Sequence, residues 1–263
     1  MKKIALIGCG NLGLSILNGL SNDATFSNTT IYVTKRNTSS IEHLSSEKII
    51  VTNDNALAIS NSEIIIVALK PYNLIETITQ LKEHFNPEKH LLVSLATGIS
   101  IQQIKEAIAS ELPIFRAMPN TAAGISESMT CICSNTHDVA TKKEVKSIFD
   151  AIGETVEIEE NLMEAATILG ACGIAYVLRF MRAMVQGGIQ IGFDAKTANA
   201  IVQQTVKGAS ELLIQNKQHP EFEIDKVTTP KGCTIVGLNE MEHNGFSSSL
   251  IKGLVASYKM IEK

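Results

Sequence analysis

The run Gly8-Cys9-Gly10-Asn11-Leu12-Gly13 follows directly on the apolar segment Ile4 to Ile7 and opens a helical pattern. A G-x-G-x-x-G motif in that setting constrains the fold more than any other feature of the chain. Its glycines permit a tight turn and a close approach of backbone to pyrophosphate, and the helix N-terminus favours the phosphate charge. Alone, the motif is equally a tight turn; here it stands at the head of a βαβ series. Ile4 to Ile7, Ile31 to Val33, Ile49 to Thr52, Ile64 to Leu69, Leu91 to Ser94 and Ile114 to Ala117 read as strands. Helices are expected over Leu12 to Leu20, around Ile41 to Ser46, over Leu74 to Phe85 and over Ile101 to Ala109. Alternation of this kind predicts a parallel sheet covered on both faces. Met129 to Cys133 and Thr155 to Ile158 are further strands, around a helix marked by Val145, Ile148, Phe149 and Ile152.

After Ile158 the strand signal ends, and Glu159, Glu160 and Asn161 suit a helix start. The expected division is therefore a dinucleotide-binding domain of Rossmann type over residues 1–158 and an all-helical domain over residues 159–263. Ala165 to Leu178 carries no charge, so that helix should be buried all round, with a partner subunit as cover. Val202, Val206, Ala209 and Leu213 stripe the next helix, and Phe246 to Ile261 forms the last.

Composition narrows the function classes. Of 263 residues, 23 are Lys or Arg and 27 Asp or Glu, a net charge of −4 without blocks, which argues against a nucleic-acid or anionic-membrane surface. The longest strongly aliphatic run, Ile64 to Leu69, is far short of a bilayer span, and glycines interrupt any signal-like stretch at the N-terminus. A cytoplasmic protein is expected. Five unpatterned cysteines read as reduced thiols, and no metal site is expected.

Val33-Thr34-Lys35-Arg36, at the end of the second strand, offers a hydroxyl and two cations where a carboxylate would serve the ribose of NAD. This favours a 2′-phosphate, hence NADPH over NADH, against the reading of a solvated basic loop. Leu69-Lys70-Pro71 and Ser94-Leu95-Ala96-Thr97-Gly98 follow the fourth and fifth strands, along the edge where open α/β sheets bind ligands. No Ser-His-Asp or Cys-His pairing is evident. His219-Pro220 reads as a turn, and Arg116 as either an anion partner or half of a structural ion pair. A substrate already protonated at an imine nitrogen needs only hydride, orientation and anion binding. Val227-Thr228-Thr229-Pro230-Lys231-Gly232-Cys233-Thr234-Ile235 supplies hydroxyls, glycine and backbone N–H groups at a helix start. That is either a carboxylate cradle, with Thr234 free to bond a ring nitrogen, or a capped loop between helices.

Taken together, the glycine motif at Gly8, Lys70-Pro71, Ser94 to Gly98, Met118-Pro119-Asn120-Thr121, Gln186-Gly187-Gly188 with Gly192, and Thr229-Pro230-x-Gly232-x-Thr234 resemble the pyrroline-5-carboxylate reductase family over nearly the whole chain. The resemblance implies NAD(P)H-dependent reduction of L-1-pyrroline-5-carboxylate to L-proline, a Rossmann domain with a helical dimerisation domain, and homodimers that in many members assemble into decamers. It implies a cofactor site of Ile7, Gly8, Cys9, Gly10, Asn11, Leu12 and Gly13 at the pyrophosphate, Thr34, Lys35 and Arg36 at the 2′-phosphate, and Asn55 near the adenosine ribose. Ala68, Leu69, Lys70 and Pro71, with Leu95, Ala96 and Thr97, would follow the nicotinamide half. Substrate would meet Thr229, Gly232, Cys233 and Thr234, with Thr234 in the catalytic role. The chain departs from the family at Gly170-Ala171-Cys172-Gly173-Ile174-Ala175-Tyr176, at Lys231 and at Ala122. β-Hydroxyacid dehydrogenases share the architecture but need a lysine where Leu178 stands. Reduction of another cyclic imine and a non-catalytic NADP-binding sensor remain as alternatives.

Overall fold

A computed structural model describes residues 2–261. Eight strands form one sheet: β1 (Ile4–Ile7), β2 (Ile31–Thr34), β3 (Ile49–Thr52), β4 (Ile64–Val67), β5 (Leu91–Ser94), β6 (Ile114–Met118), β7 (Ser128–Ser134) and β8 (Gly153–Glu157), in the order β3-β2-β1-β4-β5-β6-β7-β8. β1 pairs in parallel with both β2 and β4, so the chain winds outward in both directions from that point and leaves a crevice at the carboxyl ends of the strands. Alternation along β1 divides the core between the two faces. Ile4 and Leu6 pack with Ile16, Leu17 and Leu20, while Ala5 and Ile7 pack with Leu74 and Ile78.

The parallel sheet expected of the βαβ series holds from β1 to β6, and β7 then runs antiparallel to β6. Only Pro119 to Glu127 connect them, which is too short for a parallel crossover. Helices α1 (Asn11–Asn22), α2 (Asn55–Ser60), α3 (Pro71–Gln80), α4 (Ile101–Ile108) and α5 (Val139–Asp150) cover the sheet. α3 opens on Pro71 and stops at Gln80, short of the expected Phe85, and a 3-10 turn takes over at Lys82–His84. Around Ile41 there are only 3-10 turns, Thr38–Ser40 and Glu42–Leu44. The Asn37 side chain accepts from Ser39 N and offers the backbone a local alternative to the α-helix. α2 was not expected from the pattern, although its cap, Asp54 accepting from Leu57 N at 2.9 Å, is a readable signal.

Backbone packing carries the first compact unit past the expected boundary at 158/159 to Cys172, and the second comprises Gly173–Ser257, with the chain end from Tyr258 grouped with the first. The physical reason is that α6 (Met163–Ala166) still belongs to the sheet's cover: Met163 is fully buried, and Thr167 and Ile168 are buried after it. A π-helical turn, Thr167–Ala171, follows, with Cys172 N donating to Thr167 O at 2.9 Å. The uncharged stretch Ala165 to Leu178 passes through this turn, and its expected burial needs the partner subunit as cover. Within the single chain Leu169 is 72% exposed and Leu178 57%. The expectation that no segment approaches a bilayer span also needs correction. Glu160–Gln190 is long and apolar enough by length and composition, because a search for aliphatic runs passes over its glycines, alanines and threonine.

The second unit is helical throughout: α7 (Gly173–Gln190), α8 (Ala195–Asn216), α9 (Pro220–Val227), α10 (Cys233–His243) and most of α11 (Phe246–Ile261). α7 and α8 pack closely at Gly188, where a Cβ would lie 3.2 Å from that of Ala198. Tyr176 Oη donates to Ser257 Oγ at 2.7 Å, and the rings of Phe180 and Phe246 are 6.0 Å apart. Of these helices only α8 has buried residues, Ala198 and Val202, while Ile189, Ile191, Phe193, Ile201 and Leu212 are exposed.

Candidate functional site

The turn from β1 into α1 assigns a separate task to each motif glycine. Gly8, at φ +97°, makes the turn, and a Cβ there would lie 2.9 Å from Ala68 O. Gly13 brings α1 onto the strand, since a Cβ there would overlap the carbonyl oxygen of Gly8. Gly10 has nothing within 4 Å of a Cβ and leaves an open approach to the backbone. The first helical bond is Leu14 N to Gly10 O, so the N–H groups of Asn11, Leu12 and Gly13 precede it. No side chain caps them and no acid stands in the first turn. These donors and this opening fit a pyrophosphate.

Around the cradle, Ile7 and Cys9 turn their side chains into the core, so both can meet a ligand only through backbone. Burial raises the Cys9 thiol above its ordinary range, with Lys35 acting weakly against it. Leu12 packs against the core. Thr34 differs from expectation. It is buried, its carbonyl accepts from Gly8 N and Cys9 N, and its hydroxyl accepts from Gly8 N at 3.2 Å. It therefore braces the turn and has no free face for a 2′-phosphate. Lys35 is half-buried and Arg36 exposed, and among the described residues neither enters an ion pair. Asn55 is the first residue of α2.

On the other side of β1, Ala68 N donates to Ile7 O at 2.8 Å, and Leu69, Lys70 and Pro71 lead into α3, with Lys70 exposed. Leu95 and Ala96 are buried and leave their backbone at the sheet edge. Leu95 N donates to Val67 O, and Ala96 N to Ser94 Oγ at 3.3 Å. Thr97 is half-buried, and Gly98 turns the chain at φ +73°. These segments lie at the carboxyl ends of β1, β2, β3, β4 and β5, so the first unit brings together the sequence-derived dinucleotide residues along one edge. Sequence reasoning missed the two carboxylates beside it: Arg116 is paired with Glu160 and Glu164, and the alternative of an anion partner for Arg116 falls away. Only the fold joins positions so far apart in the chain.

In the second unit, Gly232 N donates to Thr229 O at 2.9 Å, and a Cβ on Gly232 would come 2.6 Å from Thr229 Oγ1. Lys231 holds φ +62° just before it, a conformation unusual for a residue with a Cβ. Gly232 is the N-cap of α10 and offers no side-chain cap. The N–H groups of Cys233, Thr234 and Ile235 thus open the helix without an intrahelical partner. Thr234 sits one residue inside the helix, half-buried, and its hydroxyl has no partner among the described residues, so it does not cap α10. Cys233 is exposed. Among the described residues no group of three or more His, Cys, Asp or Glu could hold a metal ion.

A doubly wound sheet with an unblocked anion cradle at its first turn, followed by a helical unit, defines the class: a dinucleotide-dependent oxidoreductase of two-domain design. Residues 3–98 match the family model for NADP oxidoreductase, coenzyme F420-dependent, and residues 160–263 that for pyrroline-5-carboxylate reductase dimerisation. Pyrroline-5-carboxylate reductase 2 of Dictyostelium discoideum is 39% identical, over 100% of this chain and 93% of its own length. Pyrroline-5-carboxylate reductase 1 of the same organism is 44% identical over 97% of this chain, which spans only 48% of that longer protein. The crystal structure of Plasmodium falciparum pyrroline carboxylate reductase with NADP bound superposes with a TM-score of 0.89 at 26% identity, covering 99% of this chain and 97% of that one. The chain belongs to the pyrroline-5-carboxylate reductase family.

Proposed function

We propose that the protein reduces L-1-pyrroline-5-carboxylate to L-proline with NADPH as hydride donor. The observation that carries the substrate reading is the start of α10, where uncapped N–H groups and the unpartnered Thr234 hydroxyl stand together. A carboxylate suits the former and a ring nitrogen the latter. The cyclic imine carries both groups on one small ring. Bound NADPH would supply the hydride that converts C=N to CH–NH. The protein's own tasks are to bind, orient and exclude water. Gly8, Gly10 and Gly13 with the N–H groups of Asn11 and Leu12 hold the pyrophosphate, and Lys35 and Arg36 meet the 2′-phosphate. Backbone from Ala68 to Pro71 and from Leu95 to Thr97 follows the nicotinamide half. Thr229 and Gly232 shape the substrate loop, Cys233 contributes its backbone N–H, and Thr234 orients the imine nitrogen.

On this reading cofactor chemistry belongs to residues 1–158, and substrate and subunit contacts to residues 159–263. The exposed apolar residues of α7 and α8 are covered by a second copy of the chain, giving a homodimer that can assemble further to a decamer, in the cytoplasm. The test is loss of NADPH absorbance on adding pyrroline-5-carboxylate, beside NADH and a panel of other cyclic imines. Turnover of another imine alone would shift the substrate assignment, and NADPH binding without turnover of any imine would favour a sensor.

A further inference from the structure

Arg116 lies on β6 beside Ser94 of β5, the strand that leads into the Leu95–Thr97 loop. Its side chain is only 4% exposed. One nitrogen, Nη1, is 3.3 Å from Glu160 Oε1, and the other, Nη2, is 2.6 Å from Glu164 Oε1. Both carboxylates also hold the backbone that follows the loop. Glu164 Oε2 accepts from Gly98 N at 3.3 Å, and Glu160 Oε1 accepts from Ile101 N at 2.7 Å. The guanidinium therefore fixes two acids, and the acids pin the two ends of the Gly98–Ile101 turn. The first pinned residue, Gly98, stands at φ +73° and immediately follows Thr97.

Burying the guanidinium beside partly exposed carboxylates is a poor route to stability, because its desolvation offsets much of the attraction. The arrangement has its use in geometry. Leu95 and Ala96 turn their side chains into the core, so only their backbone and Thr97 face the ligand edge. Where that backbone stands is set by its strand bond, Leu95 N to Val67 O, at one end and by the Glu164–Gly98 bond at the other. We propose that Arg116 and Glu164 are positioning residues: through Gly98 they set the Leu95–Thr97 wall against the nicotinamide ring, a role that rests on the cofactor reading given above.

The test compares binding of NADP+ and of 2′-phospho-ADP-ribose, which lacks the nicotinamide, by titration calorimetry. It uses the full chain in the wild-type, Glu164→Gln and Arg116→Lys forms, each first shown by melting to be folded at the assay temperature. Glu164→Gln keeps the shape but weakens both bonds, and Arg116→Lys keeps the charge but loses the two-pronged geometry. The expected result is that the affinity advantage of NADP+ over the nicotinamide-free analogue falls by about fivefold to tenfold in each variant, the loss of one charged hydrogen bond. Binding of the analogue itself should stay within about twofold of wild type, since the pyrophosphate and 2′-phosphate contacts are untouched. In turnover, kcat should fall while KM for NADPH changes little. A purely structural pair would lower the melting temperature and leave both the affinity ratio and kcat per folded molecule at wild-type values; that result overturns the proposal. Equal affinity of wild type for the two ligands overturns it as well, because the loop then would not touch the ring. Failure of wild type to bind either ligand overturns the cofactor reading itself, which is a different outcome.

Discussion

Substituting Gly10 by alanine separates cofactor binding from folding. In the free chain nothing lies within 4 Å of a Cβ built on Gly10, and its backbone, at φ −84° and ψ −163°, is one that alanine adopts without strain. The cost to the fold is that alanine is a poorer N-cap than glycine, about 1 kcal/mol at most. That corresponds to roughly 2 to 4 °C in melting temperature for a chain of this size. The methyl group does, however, fill the gap through which a pyrophosphate reaches the N–H groups of Asn11, Leu12 and Gly13. Pushing the phosphates back weakens one or two charge-assisted hydrogen bonds worth about 1.5 kcal/mol or more each, a tenfold to hundredfold loss in affinity. Fluorescence titration with NADPH beside a thermal melt reads both effects. Gly13→Ala is the contrast: its Cβ overlaps the backbone of Gly8, so α1 must move, and stability and affinity should fall together. An unchanged NADPH affinity in a well-folded Gly10→Ala protein would refute the assignment of this turn to pyrophosphate.

Arg36→Ala should narrow the preference for NADPH over NADH by about tenfold, read as the ratio of kcat/KM values, because it removes one exposed cation proposed to face the 2′-phosphate. A preference for NADH in the wild-type protein would contradict it. Thr234→Ala should lower kcat/KM for pyrroline-5-carboxylate by about one to two powers of ten while NADPH affinity barely moves, and Thr234→Ser should retain much more activity. Normal turnover in the alanine variant would remove Thr234 from the catalytic role. Burial pushes the Cys133 thiol up to about 11, with the Arg116 guanidinium opposing, whereas Cys233 is exposed. Iodoacetamide at pH 8 should therefore modify Cys233 well before Cys133, followed by peptide mass spectrometry. Since the folded value lies above the unfolded one of 9.0, the stability linked to Cys133 is present below about pH 9 and lost as the pH rises towards 11. A Cys133→Ala protein that melts with the same alkaline slope as wild type would contradict this.

Much of the first unit was legible because its strands are short β-branched runs separated by helices with a single apolar stripe. The expected Ile49 to Thr52 and Leu91 to Ser94 are the observed β3 and β5, and Phe246 to Ile261 is α11. Periodicity is silent about direction, so the antiparallel β7 could be known only from the shortness of its connection to β6. It is equally silent about which apolar residues meet: Met163 looks like the first turn of a separate helical domain until the sheet is built beneath it. Thr34 illustrates a further limit. Its position at the end of β2 is readable, but the rotamer that turns its hydroxyl back to Gly8 N depends on the three-dimensional turn. The cluster of Arg116, Glu160 and Glu164 was invisible for the same reason. The segment before α10 was readable as a glycine and hydroxyl cluster leading into a helix, yet whether Thr234 caps that helix had to come from structure, and it does not.

A helix start can be closed by a side-chain cap or left open to a ligand. Asp54, Ser100, Asp138, Asp194 and His219 cap α2, α4, α5, α8 and α9 with side-chain acceptors. α3, which opens on Pro71, and α6 also lack a side-chain cap, but α1 and α10 are the ones that begin on a glycine N-cap, with no side-chain cap and no acid in the first turn. A cap is worth about 0.5 to 2 kcal/mol, so a bare glycine at the start of α1 and of α10 leaves stability unclaimed in the free protein. It also leaves donors for an incoming anion, which a cap would occupy. Gly10→Asp tests this directly. The extended backbone at Gly10 suits aspartate, and a carboxylate there would accept from N–H groups in the first turn of α1 and complement the helix dipole. The free protein should gain about 0.5 to 1 kcal/mol of stability, seen as a melting temperature a few degrees higher, while NADPH binding is lost to repulsion and competition for the same donors. If the aspartate variant were no more stable yet bound NADPH normally, α1 would not be held open for a phosphate, and the division between capped and ligand-ready helices would have no functional meaning.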